Sequence, residues 1–362
     1  MTRVVVAAGA SGGHVYPGLA VAEVLRDRGH DVVFVGGDRL EARVVPAAGF
    51  PFHALPVRRP PSVRRELVTP RGIVALSSIA WATLKARRLL ARLRPDVVLG
   101  MGGFAAVPVA LAARVPLVLH EQNAHLAAAQ RIAVRRARVL ALGLPIAERL
   151  PAVRTELVGQ PVRRRIAALA HVDVAAERDA ARLRLGLRPG APVVLVSGGS
   201  LGSGPLNEQV PHAALPPGTQ VLHLAGAGNE DKVRAAWHTA GVEATVLGFL
   251  DAMEDAYLAA DAAVSRSGAS SVAELAIAGV PAVFVPLTTL RRGDQEANAR
   301  LAERAGGAVV VLQSTGFAHA VGRELTRLIS DDAARAAMSA AARAFARPDA
   351  AERLADVVLS AH

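Results

Sequence analysis

The chain is expected to fold as two doubly wound α/β domains facing each other across a cleft. Three observations predict this class. Its 362 residues suit two domains at about 100–200 residues each. Short Val-rich runs alternate with longer Ala/Leu/Arg stretches of helical period, the pattern of parallel strands covered on both faces. That pattern runs once to about residue 160, pauses, and restarts near Pro192.

The elements follow in order. Strand runs in the first half are Arg3–Ala8, Asp31–Gly36, Asp96–Leu99, Leu117–His120 and Arg138–Leu142. A link at about 158–165 contains Val158-Gly-Gln-Pro-Val162, and the charged stretch Val174–Leu187 has helical character. Strand runs then resume at Val193–Ser197, Gln220–Leu224, Ala244–Gly248, Ala262–Ser265, Ala282–Val285 and Ala308–Leu312. The closing Ala/Arg-rich stretch Ala334–Ser360 reads as helix, and Pro348 is expected to break or kink it. The domains are therefore set at 1–160 and 161–344, with a last helix at about 345–362 expected to pack back on the first domain.

Charge is unevenly spread. Residues 1–160 hold 22 basic and 10 acidic side chains, whereas the remainder holds 20 and 21. A basic half joined to a near-neutral half points to an anionic partner for the first. With 52% hydrophobic residues the chain is not disordered, and with no cysteine it has no disulfide framework, thiolate metal site or cysteine nucleophile. No apolar run is long enough to span a bilayer, and Val4–Ala8 reads as a first strand rather than a signal peptide. A cytoplasmic protein is the expectation.

Six motifs follow strand runs. Gly9-Ala-Ser-Gly-Gly-His14 lets backbone approach a ligand at a helix start, where negative charge is favoured. Its glycine spacing is neither that of a dinucleotide fingerprint nor that of a P-loop. A second glycine turn, Gly100-Met-Gly-Gly-Phe104, follows another strand and converges on the same crevice edge. His120-Glu-Gln-Asn123 is a polar run after a buried strand, with Asn as an alternative helix cap. Ser197-Gly-Gly-Ser-Leu-Gly202, with Asn207 beyond it, repeats the glycine turn in the second domain. Arg266-Ser-Gly-Ala-Ser-Ser-Val-Ala-Glu274 leads into a helix expected near Ser271, whose amides suit a diphosphate. In isolation, Ser271-Val-Ala-Glu274 also reads as a capping box. Asp294-Gln-Glu-Ala-Asn298 offers side-chain amides for sugar hydroxyls. No Asp-x-Asp and no compact ligand cluster is present, so no metal is implied.

Together these motifs resemble the MurG family of GT-B-fold glycosyltransferases. The resemblance rests on Gly9–His14 with Pro17–Ala22, Asp96–Gly103, Leu119–Asn123, Val158–Arg163, Gly198–Asn207 and Ser265–Pro286, six motifs in family order. It implies inverting, metal-independent transfer of N-acetylglucosamine from UDP-GlcNAc to the C4 hydroxyl of the muramoyl sugar of lipid I. The product is lipid II for peptidoglycan, and no cofactor is required. By motif, Ser11, Gly12 and Gly13 line the first glycine loop, and Gly102, Gly103 and Phe104 the second, toward the acceptor. Asn123 meets the donor sugar, Arg163 lies near the diphosphate, Ser200 lies at the nucleotide, and backbone at Leu250 reads uracil. Ala269, Ser270, Ser271, Val272, Ala273 and Glu274 form the donor loop, with Glu274 on the ribose hydroxyls and Gln295 on the GlcNAc hydroxyls. His14 matches the proposed general base, a role suited to an imidazole of ordinary pKa, about 6.5. Departures from the family pattern are Ala10-Ser11 for Gly-Thr, Phe104 for Tyr, Asp294-Gln295 for His-Gln or Gln-Gln, and His125 where small residues are usual.

Residues 58–94 carry ten basic side chains and one acid, Glu66. Ile73, Leu76, Ile79, Trp81 and Leu84 recur there at roughly helical spacing, followed by Lys85, Arg87 and Arg88. Apolar residues flanked by cations read as an interfacial segment on an anionic membrane surface. The alternative is a core-facing apolar stripe with a solvated basic face. The implied location is peripheral, on the cytoplasmic face of the bacterial cell membrane. No nucleic acid is expected as a partner, since no RNA-binding motif accompanies the charge, and no obligate protein partner is readable. Two further alternatives are a MurG-like transferase of secondary metabolism and an NAD-type oxidoreductase, the latter opposed by the glycine spacing.

Overall fold

The computed structural model describes residues 1–9, 12–57, 70–287 and 293–362, with backbone alone for 70–76. Two compact units divide the chain: Met1–Arg163 with Asp349–His362 form unit 1, and Arg164–Pro348 form unit 2.

In unit 1 the strands are β1 (Arg3–Ala8), β2 (Asp31–Gly36), β3 (Phe52–Ala54), β4 (Val97–Gly102), β5 (Leu117–Glu121), β6 (Val139–Leu142) and β7 (Arg154–Leu157). They form one parallel sheet in the order β3-β2-β1-β4-β5-β6-β7. Crossovers run through α1 (Gly12–Asp27), α2 (Leu40–Ala47), α3 (Pro70–Leu93), α4 (Val107–Ala112) and α5 (Ala128–Ala133). Unit 2 holds β8 (Val193–Ser197), β9 (Gln220–Leu224), β10 (Ala244–Leu247), β11 (Ala262–Ser265), β12 (Ala282–Phe284) and β13 (Ala308–Val310). These too are parallel, ordered β10-β9-β8-β11-β12-β13. Its helices are α6 (Arg164–Ala168), α7 (Val174–Arg184), α8 (Gly204–Gln209), α9 (Glu230–Thr239), α10 (Met253–Ala259), α11 (Ala269–Ala278), α12 (Asp294–Arg304), α13 (Phe317–Ser330) and α14 (Asp332–Phe345). The final helix, α15 (Ala350–Ser360), returns to unit 1.

Period-2 alternation explains why the strands are apolar throughout. Val4, Val6 and Ala8 enter a core with α1 and α15, while Val5 and Ala7 enter a second core with residues of α3 and α4. Both faces are dry, so neither face of β1 tolerates a polar side chain. Leu354 and Val358 of α15 are fully buried with Val21 and Leu25 of α1, and Arg28 pairs with Asp356 at 2.5 Å. Pro348 lies between α14 and α15, where its missing N–H costs no helical bond. Asp173 caps α7 by accepting from Ala175 N (3.0 Å) and Ala176 N (3.4 Å).

Two strands lack the apolar signature and are missing from the sequence reading. β3 is three residues long and β7 is Arg-Thr-Glu-Leu; both lie at the sheet's edges, where one side needs no apolar partner.

Charge stitches the starts of the strands. Arg3 of β1 pairs with Asp31 of β2 at 2.5 Å, donates to Leu93 O at 2.8 Å, and has its backbone N–H held by Asp96 at 2.7 Å. In unit 2, Asp261, just before β11, accepts from Arg182 (2.7 Å), Arg178 (3.0 Å) and the Val193 N–H (2.8 Å). Among the described residues no helix is long and apolar enough to cross a membrane.

Candidate functional site

The opposite, C-terminal ends of the strands carry the motifs. In unit 1, β1 runs into the first glycine loop, and α1 begins at Gly12. Gly12 and Gly13 lie in its first turn with His14; Ser11 lies outside the described residues. The second loop bends against the imidazole. Gly102 has φ +97° and Gly103 φ +77°, conformations that favour glycine. A Cβ on Gly102 would stand 2.8 Å from His14 Cδ2 and 3.2 Å from Nε2, so any other residue there would push the ring away. Phe104 is half-buried in the turn after β4. The expected pKa for His14 needs correction: burial pushes it from 6.5 down to about 4. The ring is therefore neutral at pH 7.

Behind His14 stands His120, fully buried at the end of β5. Its Nε2 donates to Gly159 O at 3.0 Å, which leaves Nδ1 as the unprotonated nitrogen, buried and without a partner. Burial, with a smaller contribution from His14's charge, pushes its pKa down to about 4 against a weaker upward pull from that hydrogen bond. Glu121 follows, with 2% of its surface exposed. Its carboxylate accepts from Asn123 N (3.1 Å), Asn123 Nδ2 (3.4 Å) and Ala127 N (2.7 Å), folding the loop before α5 around itself. Burial raises its pKa to about 7 despite these bonds. Asn123 is thus held by main chain and amide together. Gln130 Nε2 donates to His120 O at 2.7 Å and Gln122 Nε2 to Met101 O at 3.3 Å, tying α5, β5 and β4 together. Glu41, 1% exposed, accepts from Gly37 N at 2.9 Å. A Cβ on Gly9 or Gly37 would come within 2.7 Å of its Oε1. Arg163 places its guanidinium 5.8 Å from the ring centre of Tyr16 on α1.

Unit 2 repeats the plan. Ser200, Leu250, Glu274 and Gln295 follow the C-terminal ends of β8, β10, β11 and β12. Ser200 is exposed and Leu250 half-buried. The loop of Ser200 packs backbone to backbone against the one after β9: a Cβ on Gly226 would come within 2.5 Å of Leu201 O. Below it, Asn207 Nδ2 donates to Ala225 O (2.8 Å) and Asn207 Oδ1 meets His223 Nε2 (3.0 Å). Trp237 Nε1 donates to His223 Nδ1 at 3.0 Å, which assigns the proton to Nε2; burial pushes this histidine down to about 4.

The capping box is not formed. α11 starts at Ala269, two residues before Ser271, with Gly268 as its N-cap and no side-chain cap. Its early start leaves the amides of Ala269, Ser270 and Ser271 in the first turn, while Val272 is 1% exposed and belongs to the core; Ala273 is half-buried. Glu274 instead accepts from Tyr257 OH at 2.6 Å. Gln295 closes a loop, its Oε1 accepting from Leu287 N (2.9 Å) and its carbonyl from Ser267 Oγ (2.7 Å). Asn298, read as an amide for sugar hydroxyls, is fully buried and donates to Ser267 O at 3.1 Å. Among the described residues no group of His, Asp and Glu is arranged to hold a metal.

On α3, Ala82 is buried, and Ala86 and Leu90 face the core. Trp81 and Leu84 do not: they are 52% and 41% exposed, in the same stripe as Lys85, whose ammonium lies 5.4 Å from the Trp81 ring centre. Arg87 and Arg88 are exposed and Ile79 half-buried; the side chains of Ile73 and Leu76 lie outside the described residues.

Sequence reasoning missed Glu41 and the bonding of Glu121, and left Arg266 without a role. Only the tertiary fold brings their partners to them.

Models of two families match the chain: the glycosyltransferase family 28 N-terminal domain over residues 4–141 and its C-terminal domain over 193–354. A protein of Halorhodospira halophila named UDP-N-acetylglucosamine–N-acetylmuramyl-(pentapeptide) pyrophosphoryl-undecaprenol N-acetylglucosamine transferase is 43% identical, covering 98% of this chain and 97% of its own. A Clavibacter michiganensis protein of the same name is 41% identical over 100% and 97%. Among solved structures, Acinetobacter baumannii MurG superposes with a TM-score of 0.78 at 29% identity, covering 99% and 100%. The calicheamicin glycosyltransferase CalG4, at 19% identity and a TM-score of 0.67, shares the fold.

Proposed function

Because the chain belongs to the MurG family of glycosyltransferase family 28, with its GT-B pair of Rossmann-like domains, we propose the following division of its chemistry. It is an N-acetylglucosaminyltransferase of peptidoglycan synthesis, moving GlcNAc from UDP-GlcNAc to the undecaprenyl-diphospho-muramoylpentapeptide acceptor. Unit 1 serves the acceptor, and unit 2 the nucleotide.

The reaction is an inverting displacement. The acceptor's C4 hydroxyl attacks the anomeric carbon as UDP departs, and its proton passes to His14. One observation carries that role: the imidazole stands at the start of α1, pressed against Gly102 of the second glycine loop; burial keeps it neutral at pH 7 while weakening it as a base. A neutral ring nitrogen can accept a proton without first losing one. Asn123, fixed by Glu121, turns toward the transferred sugar, Glu274 toward the ribose hydroxyls and Gln295 toward the GlcNAc hydroxyls. Backbone at Leu250 reads the uracil, and the first-turn amides of α11 with Ser200 and Arg163 meet the diphosphate. No metal or other cofactor takes part in this scheme.

The lipid acceptor requires a membrane surface, and the exposed stripe of Trp81, Leu84, Lys85 and Arg88 suits an anionic one. On this reading the contact is with the cytoplasmic face, the side from which a soluble nucleotide-sugar donor is drawn. A soluble lipid I analogue and UDP-GlcNAc test the reaction: acceptor-dependent UDP release with formation of the disaccharide is expected. Turnover with another nucleotide sugar and none with UDP-GlcNAc would instead support the secondary-metabolism reading.

A further inference from the structure

Two arginines are buried in unit 2, and they differ in one respect. Arg182 is 4% exposed and bonds to Asp261, with Asp179 and Ala259 O completing its set. Arg266 is 5% exposed and has only neutral acceptors. Its Nε donates to Ser203 Oγ at 3.0 Å, and its Nη1 to Val285 O at 2.8 Å and Pro286 O at 3.2 Å. The Nη2 is buried with no acceptor. No carboxylate among the described residues pairs with it. The adjoining stretch 288–292, Thr-Thr-Leu-Arg-Arg, carries no acid either.

A buried cation without a counter-charge is strongly destabilising. Burial accordingly lowers its pKa, with no opposing charge to restore it, yet guanidinium stays protonated in proteins. The position of this charge is specific. Arg266 directly follows β11, and its backbone N–H bonds to Ser197 O at the end of β8. Ser203, which it grips, closes the glycine loop that begins at Gly198. One side chain thus joins the ends of β8, β11 and β12, the same edge that carries Ser200, Glu274 and Gln295.

We propose that Arg266 is a positioning residue whose missing counter-charge is supplied by a diphosphate-bearing ligand. It fixes the glycine loop through Ser203, and its buried positive charge lowers the free energy of an anion at that edge through a medium of low dielectric. The guanidinium need not touch the phosphates, because the field of a desolvated charge extends beyond hydrogen-bond range. The proposal rests on the reading that unit 2 binds a UDP-sugar.

Charge, rather than shape, is therefore the property to vary. Dissociation constants of UDP and of uridine are measured by ligand-observed NMR for the full chain and for Arg266→Gln and Arg266→Lys. In Arg266→Gln, UDP is expected to weaken at least tenfold and uridine by less than twofold. In Arg266→Lys, UDP should stay within threefold of wild type. Equal weakening of UDP and uridine in the Gln variant, or loss of UDP binding in the Lys variant equal to that in Gln, would overturn the proposal in favour of a purely structural strut. Should the Gln variant not fold, Arg266→Lys decides alone: UDP retained within threefold supports the charge role, and a tenfold loss refutes it. A wild-type chain that binds neither compound would sink the donor reading itself, a result distinct from any variant effect.

Discussion

The two edges of each sheet are built on opposite principles. At the strand starts, charged side chains pair with opposite charges and main chain: Arg3 with Asp31 and the Leu93 carbonyl, Asp261 with Arg182, Arg178 and the Val193 amide. At the strand ends, glycine replaces side chain, and buried polar atoms are left over, Nδ1 of His120 in unit 1 and Nη2 of Arg266 in unit 2. β11 shows both within four residues of strand, with Asp261 before it and Arg266 after it. An unmatched buried group lowers stability, and the strand starts carry such atoms too, Nε of Arg178 and Oγ1 of Thr219. What separates the two edges of unit 2 is that the buried arginine at the starts is paired with carboxylates, whereas the one at the ends has neutral acceptors alone.

The largest test is at the ligand edge. His14→Ala is expected to lower turnover by about two to four powers of ten, with UDP-GlcNAc affinity and thermal midpoint little changed. Activity within a few-fold of wild type would show that the proton goes elsewhere. At the paired edge the signature should reverse. Asp261→Asn leaves Arg182 and Arg178 without a full counter-charge and is expected to cost about 3–5 kcal/mol in urea unfolding, while the folded fraction keeps its turnover number. A loss of turnover without a loss of stability would break the comparison.

Acid provides a finer test. His120 and His223 are depressed to about 4 when folded, against about 6.5 unfolded. The unfolded chain therefore takes up their protons first as pH falls, and the stability they contribute above pH 6.5 is lost on the way to about 4, up to about 3 kcal/mol each. Glu121 runs the other way, raised to about 7, so its contribution is present below its unfolded value and fades as pH rises through 7. Unfolding midpoints from pH 7 to 4 should fall less steeply in His223→Gln than in wild type; parallel curves would remove His223 from this account.

The smallest effect lies off both edges. Trp81→Ala and Lys85→Ala are each expected to weaken binding to vesicles containing anionic lipid by about 1–2 kcal/mol, measured by co-sedimentation, with soluble-acceptor turnover unchanged. Equal binding of the wild type to neutral and anionic vesicles would remove the electrostatic part.

Much of this division was legible in the sequence. Doubly buried strands announce themselves as uninterrupted Val, Ala and Leu, and the glycine loops are visible because positive φ demands glycine at Gly102 and Gly103. β3 and β7 escaped because edge strands need no such run. Side-chain partners escaped for a different reason. Glu274 has both the spacing of a capping residue and a Tyr257 hydroxyl 17 positions away, and local pattern cannot weigh the second. Burial likewise moved His14 from the value its type suggests, since desolvation depends on neighbours that the chain brings in from elsewhere, among them Gly102.

The return of α15 to unit 1 sets an order of events during synthesis. Leu354 and Val358 complete the core around Val21 and Leu25, yet all of unit 2 is translated between them. At about 5–20 residues per second, the apolar face of α1 waits on the order of tens of seconds for its cover. Unit 2 is continuous in sequence and can mature first; unit 1, although begun earlier, finishes last.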